Sequence, residues 1–213
     1  MRVFDFGRSA LVAASLVAVL APAAQAGTID VPAGDTAALI AAINTANGTP
    51  EADTLNVTGT YAFAAADNFW YGPNVLPAIT SDITIAGTAS GGVAVLQVTT
   101  NERMRFFYVS DGRSGVTAGT LRLRNLELSG GNALGGSTAF GGGGAGMGGA
   151  IFNQGTLDLS GVTFHDNEAT GGNAGTVNSS SGGGMGEDAL GDGGGGFGGP
   201  APGATGGAGG AGG

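Results

Sequence analysis

The stretch GGAIFNQGTLDLSGVTFHDNEA, residues 148–169, decides how this chain is read. It opens on two glycines, alternates apolar and polar residues through LDLSGVTF, and closes on a polar turn. Two explanations compete: one unit of a structural repeat, or a glycine-rich catalytic loop carrying the His165–Asp166 pair. The rest of the chain favours the repeat. TLNVTG (54–59), DITIAG (82–87), TLRLRN (120–125) and TLDLSG (156–161) align without gaps. Each alternates inward apolar and outward polar positions, the pattern of a half-buried strand. The expected inward pairs are Leu55/Val57, Ile83/Ile85, Leu121/Leu123 and Leu157/Leu159, with the first member of each pair in one column.

The last two units agree further. Leu126/Leu128 matches Val162/Phe164, and Ala133 matches Ala169. Between the apolar pairs stand Asn125 and Gly161. An unbroken strand would turn the second pair outward, so each unit must bend there. Asn and Gly are the residues that most readily take the left-handed backbone such a bend needs. Units of this kind stack rung on rung, burying together what none could bury alone. Outward residues then stack as well. Thr84, Arg122 and Asp158 share one outward column, and Arg122–Asp158 is the expected ion pair between rungs.

An open stack needs a lid. GDTAALIAAINTAN, residues 34–47, supplies one. Asp35 or Thr36 caps a helix start, Leu39, Ile40, Ile43 and Ala46 recur on one face, and Asn47-Gly48 ends it. Two segments interrupt the rungs. NFWYGPNVLPAI, residues 68–79, is expected to pack its aromatics on the flank. The glycine run 135–149 is expected to be a flexible insert outside a rung.

Composition bounds the function. The chain has 213 residues, a formal net charge of −9 and no cysteine. Its start carries Arg2 and Arg8, an apolar run over residues 10–21, Pro22, and Ala24-Gln25-Ala26. That order of charge, apolar core and small residues is a secretory signal peptide, and the run is shorter than the roughly 20 residues that span a bilayer. Removing residues 1–26 takes away Arg2, Arg8 and Asp5. Five arginines and fifteen acids remain, a net charge of −10 without a single lysine. A nucleic-acid partner would need a basic stripe, and insertion of the mature chain into a membrane is not expected. Of 46 glycines, 34 lie between residues 130 and 213. The expected division is a signal peptide (1–26), a strand-repeat domain (27–170) and a low-complexity, largely disordered tail (171–213).

Three segments carry residues with chemical potential. The densest charged set is Asp158, Asp166 and Glu168, with His165 and Arg122 near it. His165 follows the inward Phe164 and so points outward. Hydrolases of polysaccharides need paired carboxylates, whereas the acids here are scattered over the loops. GGMGEDALG, residues 183–191, matches one calcium-binding nonapeptide, with Asp188 and Leu190 in the key places. Such motifs work in tandem, and the flanks do not repeat it. GGGGAGMGG, residues 141–149, has phosphate-loop spacings by composition alone, with no lysine and no following helix pattern. No catalytic, cofactor-binding or metal site is therefore assigned.

The segments 34–61, 76–87, 121–133 and 148–169 together resemble bacterial right-handed parallel β-helix proteins of the pectin-lyase-like superfamily. Polymorphic outer-membrane and autotransporter-like surface proteins are the nearest in pattern. They use a GGAI repeat (Gly148-Gly149-Ala150-Ile151) followed by F-x-x-N (Phe164-His165-Asp166-Asn167). The resemblance covers residues 35–169. It implies an all-β right-handed parallel β-helix, and export to the outer-membrane surface or the extracellular space. It also implies an adhesin-like, non-enzymatic scaffold whose partners are glycans or proteins of a cell surface. Chains of this family run through many more rungs and then an anchor. This one is expected to be the N-terminal part of a longer repeat protein, with an uncapped last rung through which copies associate. The alternative is a polysaccharide-acting β-helix enzyme, of the pectate-lyase or glycoside-hydrolase kind.

Overall fold

The computed structural model describes residues 26–88, 93–113, 115–138, 141–175 and 183–184. The signal-peptide stretch before Ala26, and Asp188 and Leu190 of the calcium-like motif, lie outside the described residues. The described chain is mostly β, with parallel sheets and one helix.

The first sheet takes β1 (Thr28–Asp30), β2 (Asp53–Val57), β4 (Asp82–Gly87), β7 (Thr120–Arg124) and β11 (Thr156–Ser160), in that spatial order. The second takes β3 (Thr60–Phe63), β5 (Ala94–Val98), β8 (Leu126–Ser129) and β12 (Thr163–His165). Two short pairs complete the set: β6 (Phe107–Val109) with β10 (Ile151–Asn153), and β9 (Asn132–Leu134) with β13 (Glu168–Thr170). Every pairing between strands is parallel.

The register builds columns of side chains. In the first sheet Ile83, Leu121 and Leu157 align, and beside them Leu55, Ile85, Leu123 and Leu159. In the second, Tyr61, Leu96, Leu128 and Phe164 align. All of these are fully buried until the last strand of each sheet, where Leu159 is 41% and Phe164 46% exposed. Leu121 over Leu157, Leu128 beside Phe164 and Ala133 beside Ala169 are paired as the sequence alignment expects.

One expected alignment is corrected. Leu55 does not share the column of Ile83; it pairs with Ile85, and Asp53 pairs with Ile83. The unit is displaced by two residues. Such a slip keeps every inward residue inward, because the side-chain period is two, so alternation cannot detect it. The bends are as expected: Asn125 (φ 53°) and Gly161 (φ 64°) are both left-handed. Asn125 stacks between Gly87 and Gly161 with little room. A Cβ on Gly87 would fall 2.1 Å from the Asn125 carbonyl oxygen.

The helix α1 (Thr36–Asn47) forms where expected. Asp35 caps it, its carboxylate accepting from the Ala38 N–H at 2.9 Å. Leu39, Ala42, Ile43 and Ala46 are buried, while Ile40 is half-buried against the core. The helix packs on β2, β3 and β4 and so covers the apolar core. It does not cover the sheet edge, which is β1, a strand preceding the helix in the chain. Asn47 ties the lid down. Its side chain donates to Ala78 O at 2.8 Å and accepts from Thr80 N at 2.9 Å.

The glycine run is not the loose insert its composition suggests. Gly144 N donates to Gly136 O, Gly172 N to Gly144 O, and Gly175 N to Gly141 O. Gly183 N donates to Gly142 O, and Gly136 N to Gly184 O. The first described residues of the expected disordered tail, 171–175 and 183–184, are thus partners in the same network. The reason is close approach. A Cβ at Gly144 would lie 2.0 Å from Gly184 O, and one at Gly172 2.0 Å from Gly136 O. Glycine here permits backbone-to-backbone packing.

Candidate functional site

The charged set singled out in the sequence is spread over three sheets and a turn: Arg122 and Asp158 lie in the first sheet, His165 ends β12, Asp166 lies in the turn and Glu168 begins β13. Arg122, on β7, pairs with Asp82 of the strand below it rather than with Asp158. Asp158, on β11, pairs with Arg124 at 2.5 Å. Arg122 and Asp158 do share an outward column, so the expected column stands and the expected pair is corrected. A long arginine side chain reaches along or across strands, and sheet neighbours offer it more than one carboxylate. The hydrogen bond from Arg124 holds the Asp158 carboxyl below its ordinary pKa.

His165, Asp166 and Glu168 lie at the second bend. His165 Nδ1 is 3.1 Å from Asp166 Oδ2 and 3.5 Å from Ser129 Oγ. Both His165 and Asp166 are exposed. A triad needs an oriented, shielded base, and this pair has no shield. Asp166 and Glu168 instead line a cleft of about 420 Å³ with residues 97–101 and 130–132. Its lining is polar: the amides of Gln97, Asn101 and Asn132, the hydroxyls of Thr99 and Thr100, and the two carboxylates. No cationic side chain lines it. Asp158 lies outside this cleft. The sequence reading missed Gln97, Asn101 and Asn132, because their strands and turns meet only when the parallel strands are side by side.

Asn167 explains why the turn ends in asparagine. Its Nδ2 donates to Leu128 O at 2.7 Å, and its Oδ1 accepts from Gly131 N at 2.9 Å. One side chain thereby clips its own turn to the preceding rung.

Trp70 and Tyr71 of the aromatic loop pack on the flank, as expected, while Phe69 is 45% exposed. Trp70 stacks on Tyr108 with centroids 5.9 Å apart, and Tyr71 leans on both Tyr108 and Phe152. Tyr71 has a left-handed backbone (φ 53°), which costs a residue with a Cβ about 1–2 kcal/mol. Arg105 holds it there: Nη2 donates to Tyr71 O at 2.5 Å, and the guanidinium lies over the Phe152 ring at 5.2 Å. Arg105 is 2% exposed, and its Nε and Nη1 have no partner among the described residues. Burial pushes its pKa down to about 10. The sequence reading did not single out Arg105; nothing in NERMRFFYV marks which arginine turns inward.

Among the described residues no group of three or more His, Cys, Asp or Glu side chains is placed to hold a metal. The glycine run 141–149 leads into strand β10, so it has no helix N-terminus with which to cradle a phosphate. No helix among the described residues is long and apolar enough to cross a membrane.

No protein-family model matches the chain, and no curated protein or solved structure matches it.

Proposed function

We propose that the chain is an exported right-handed parallel β-helix that serves as a non-enzymatic, adhesin-like scaffold at a cell surface or in the extracellular space. The observation that carries this reading is the register. Successive strand units pair in parallel, and their inward residues stack in columns under an N-terminal helix. The signal-peptide pattern supplies the export, and the resemblance to surface β-helix proteins supplies the role. The polar cleft suits a glycan, since amides and carboxylates hydrogen-bond sugar hydroxyls. Its lack of a cation disfavours a uronate. Among the described residues β11 and β12 each lie at one edge of their sheet, with Leu159 and Phe164 exposed beside it, and this is where a second copy associates.

The alternative, a polysaccharide-acting enzyme, draws support from Asp166 and Glu168 sharing one cleft. One experiment separates the two. Purified protein is presented to immobilised neutral and acidic glycans and to whole cells, and in parallel incubated with pectate and other uronans. Retention on a surface without turnover is expected. Release of oligosaccharide products would replace the scaffold reading with the enzymatic one, and failure to bind any surface would end the adhesive part.

A further inference from the structure

Asp53 stands where the fold has least use for a charge. Its register partner is Ile83, in the inward column continued by Leu121 and Leu157. It is 4% exposed. No cationic side chain pairs with it among the described residues. A buried carboxylate in such a place is costly unless it is paired and hydrogen-bonded. Two donors reach it: Thr49 Oγ1 to Oδ2 at 2.5 Å, and the backbone nitrogen of Gly27 to Oδ1 at 2.6 Å.

Gly27 is the residue that follows Ala24-Gln25-Ala26. We propose that removal of the signal peptide after Ala26 completes this site: the new α-ammonium of Gly27 becomes the counterion of Asp53. The inference rests on the export reading given above. In the cleavage step a signal peptidase adds water across the Ala26–Gly27 amide. Ala26 departs as a carboxylate, and the Gly27 nitrogen takes up protons to become an ammonium. The nitrogen already lies within hydrogen-bonding distance of the carboxylate, so no rearrangement is needed, and the bond becomes charge-assisted.

Two further details fit. Gly27 O accepts from Thr54 N at 2.8 Å, which fixes the new terminus beside β2. A Cβ on residue 27 would lie 2.9 Å from Asp53 Oδ1, so glycine lets the terminus approach without displacing the carboxylate. Processing would then lock the first rung only in the mature, exported chain.

The test compares three forms of the mature protein: one beginning at Gly27, the same chain acetylated on Gly27, and one beginning at Ala26. Each is made with Asp53 and with Asp53→Asn. Acetylation removes the charge and restores an amide like that of the precursor. In the Asp53 background, acetylation or the extra residue should lower Tm by roughly 5 °C. In the Asp53→Asn background either change should have little effect. Equal Tm for the free and acetylated Asp53 chains would overturn the proposal, as would an equal loss in both backgrounds. Should Asp53→Asn fail to fold, the comparison within the Asp53 background decides alone. Mass spectrometry of the exported chain separates the two failures. A chain that is not cleaved overturns the export reading and this inference together, and cleavage at any other bond overturns this inference only. A Gly27 terminus without a Tm difference overturns this inference only.

Discussion

The stacked strands and the glycine network are two solutions to one packing problem. In the strands, side chains fill the space between turns of backbone: Tyr61, Leu96 and Leu128 form one column, Ile85 and Leu123 part of another. Between residues 135–146 and 171–184, the described backbone segments meet each other directly. At Gly135, Gly143, Gly144, Gly172 and Gly183 the nearest atom to a hypothetical Cβ is a carbonyl oxygen at about 2 Å. The first region is specified by what its side chains are, the second by their absence. Glycine content therefore reads as flexibility only until the partner segment is known.

The comparison can be broken at its strongest point first. Leu128→Ala removes a fully buried link in a column and should cost about 2–5 kcal/mol, read as a fall in the denaturant midpoint at unchanged slope. A cost below 1 kcal/mol would mean that the column is not the stabilising unit. Gly172→Ala pushes a methyl group into the Gly136 backbone and should cost about 1–3 kcal/mol where the network is intact. Hydrogen exchange should show the loss locally, at Gly144 and Gly172, with the amides of β4 and β7 at their original rates. Unchanged exchange at the glycines would dissolve the contrast between the regions. Asn167→Ala leaves the Leu128 carbonyl and the Gly131 N–H without their partner, a loss of about 1–2 kcal/mol. Asn167→Asp should rescue the bond to Gly131 only.

Phe164→Glu bears on the exposed end rather than on stability. It should abolish any concentration-dependent association seen in sedimentation, and persistence of that association would place the contact elsewhere. Asp158→Asn has the smallest expected effect. The Asp158 pKa is depressed by Arg124, so its contribution exists above the carboxyl's unfolded pKa and is lost as pH falls through the folded one. The substitution should slightly flatten the acid limb of the stability profile and do nothing near neutrality beyond a small, salt-sensitive shift.

Much of the local structure was legible. The bends at Asn125 and Gly161, the helix behind Asp35, and the β7–β11 and β8–β12 pairings follow from alternation, capping and backbone preference. The bends and the cap are short-range properties, and the two pairings follow from the gapless alignment of their units. The β2 register was not legible, since a two-residue slip preserves the pattern of faces. Nor was the partner of Arg122, which depends on which carboxylate a flexible side chain meets once strands are side by side. The polar cleft was hidden for a related reason: Gln97, Asn132 and Glu168 come from three different rungs. Asp53 would have stood out had its register been known, as the one acid in an inward column of Ile and Leu.

Sequence alone determined which residues face inward and where the chain bends, because both are dictated by the two-residue strand period and by the few residue types that tolerate a left-handed backbone. Tertiary structure alone decided the register of β2 on β4, which charges pair, and that the glycines interlock. Those outcomes depend on distances between segments tens of residues apart, which no local pattern encodes.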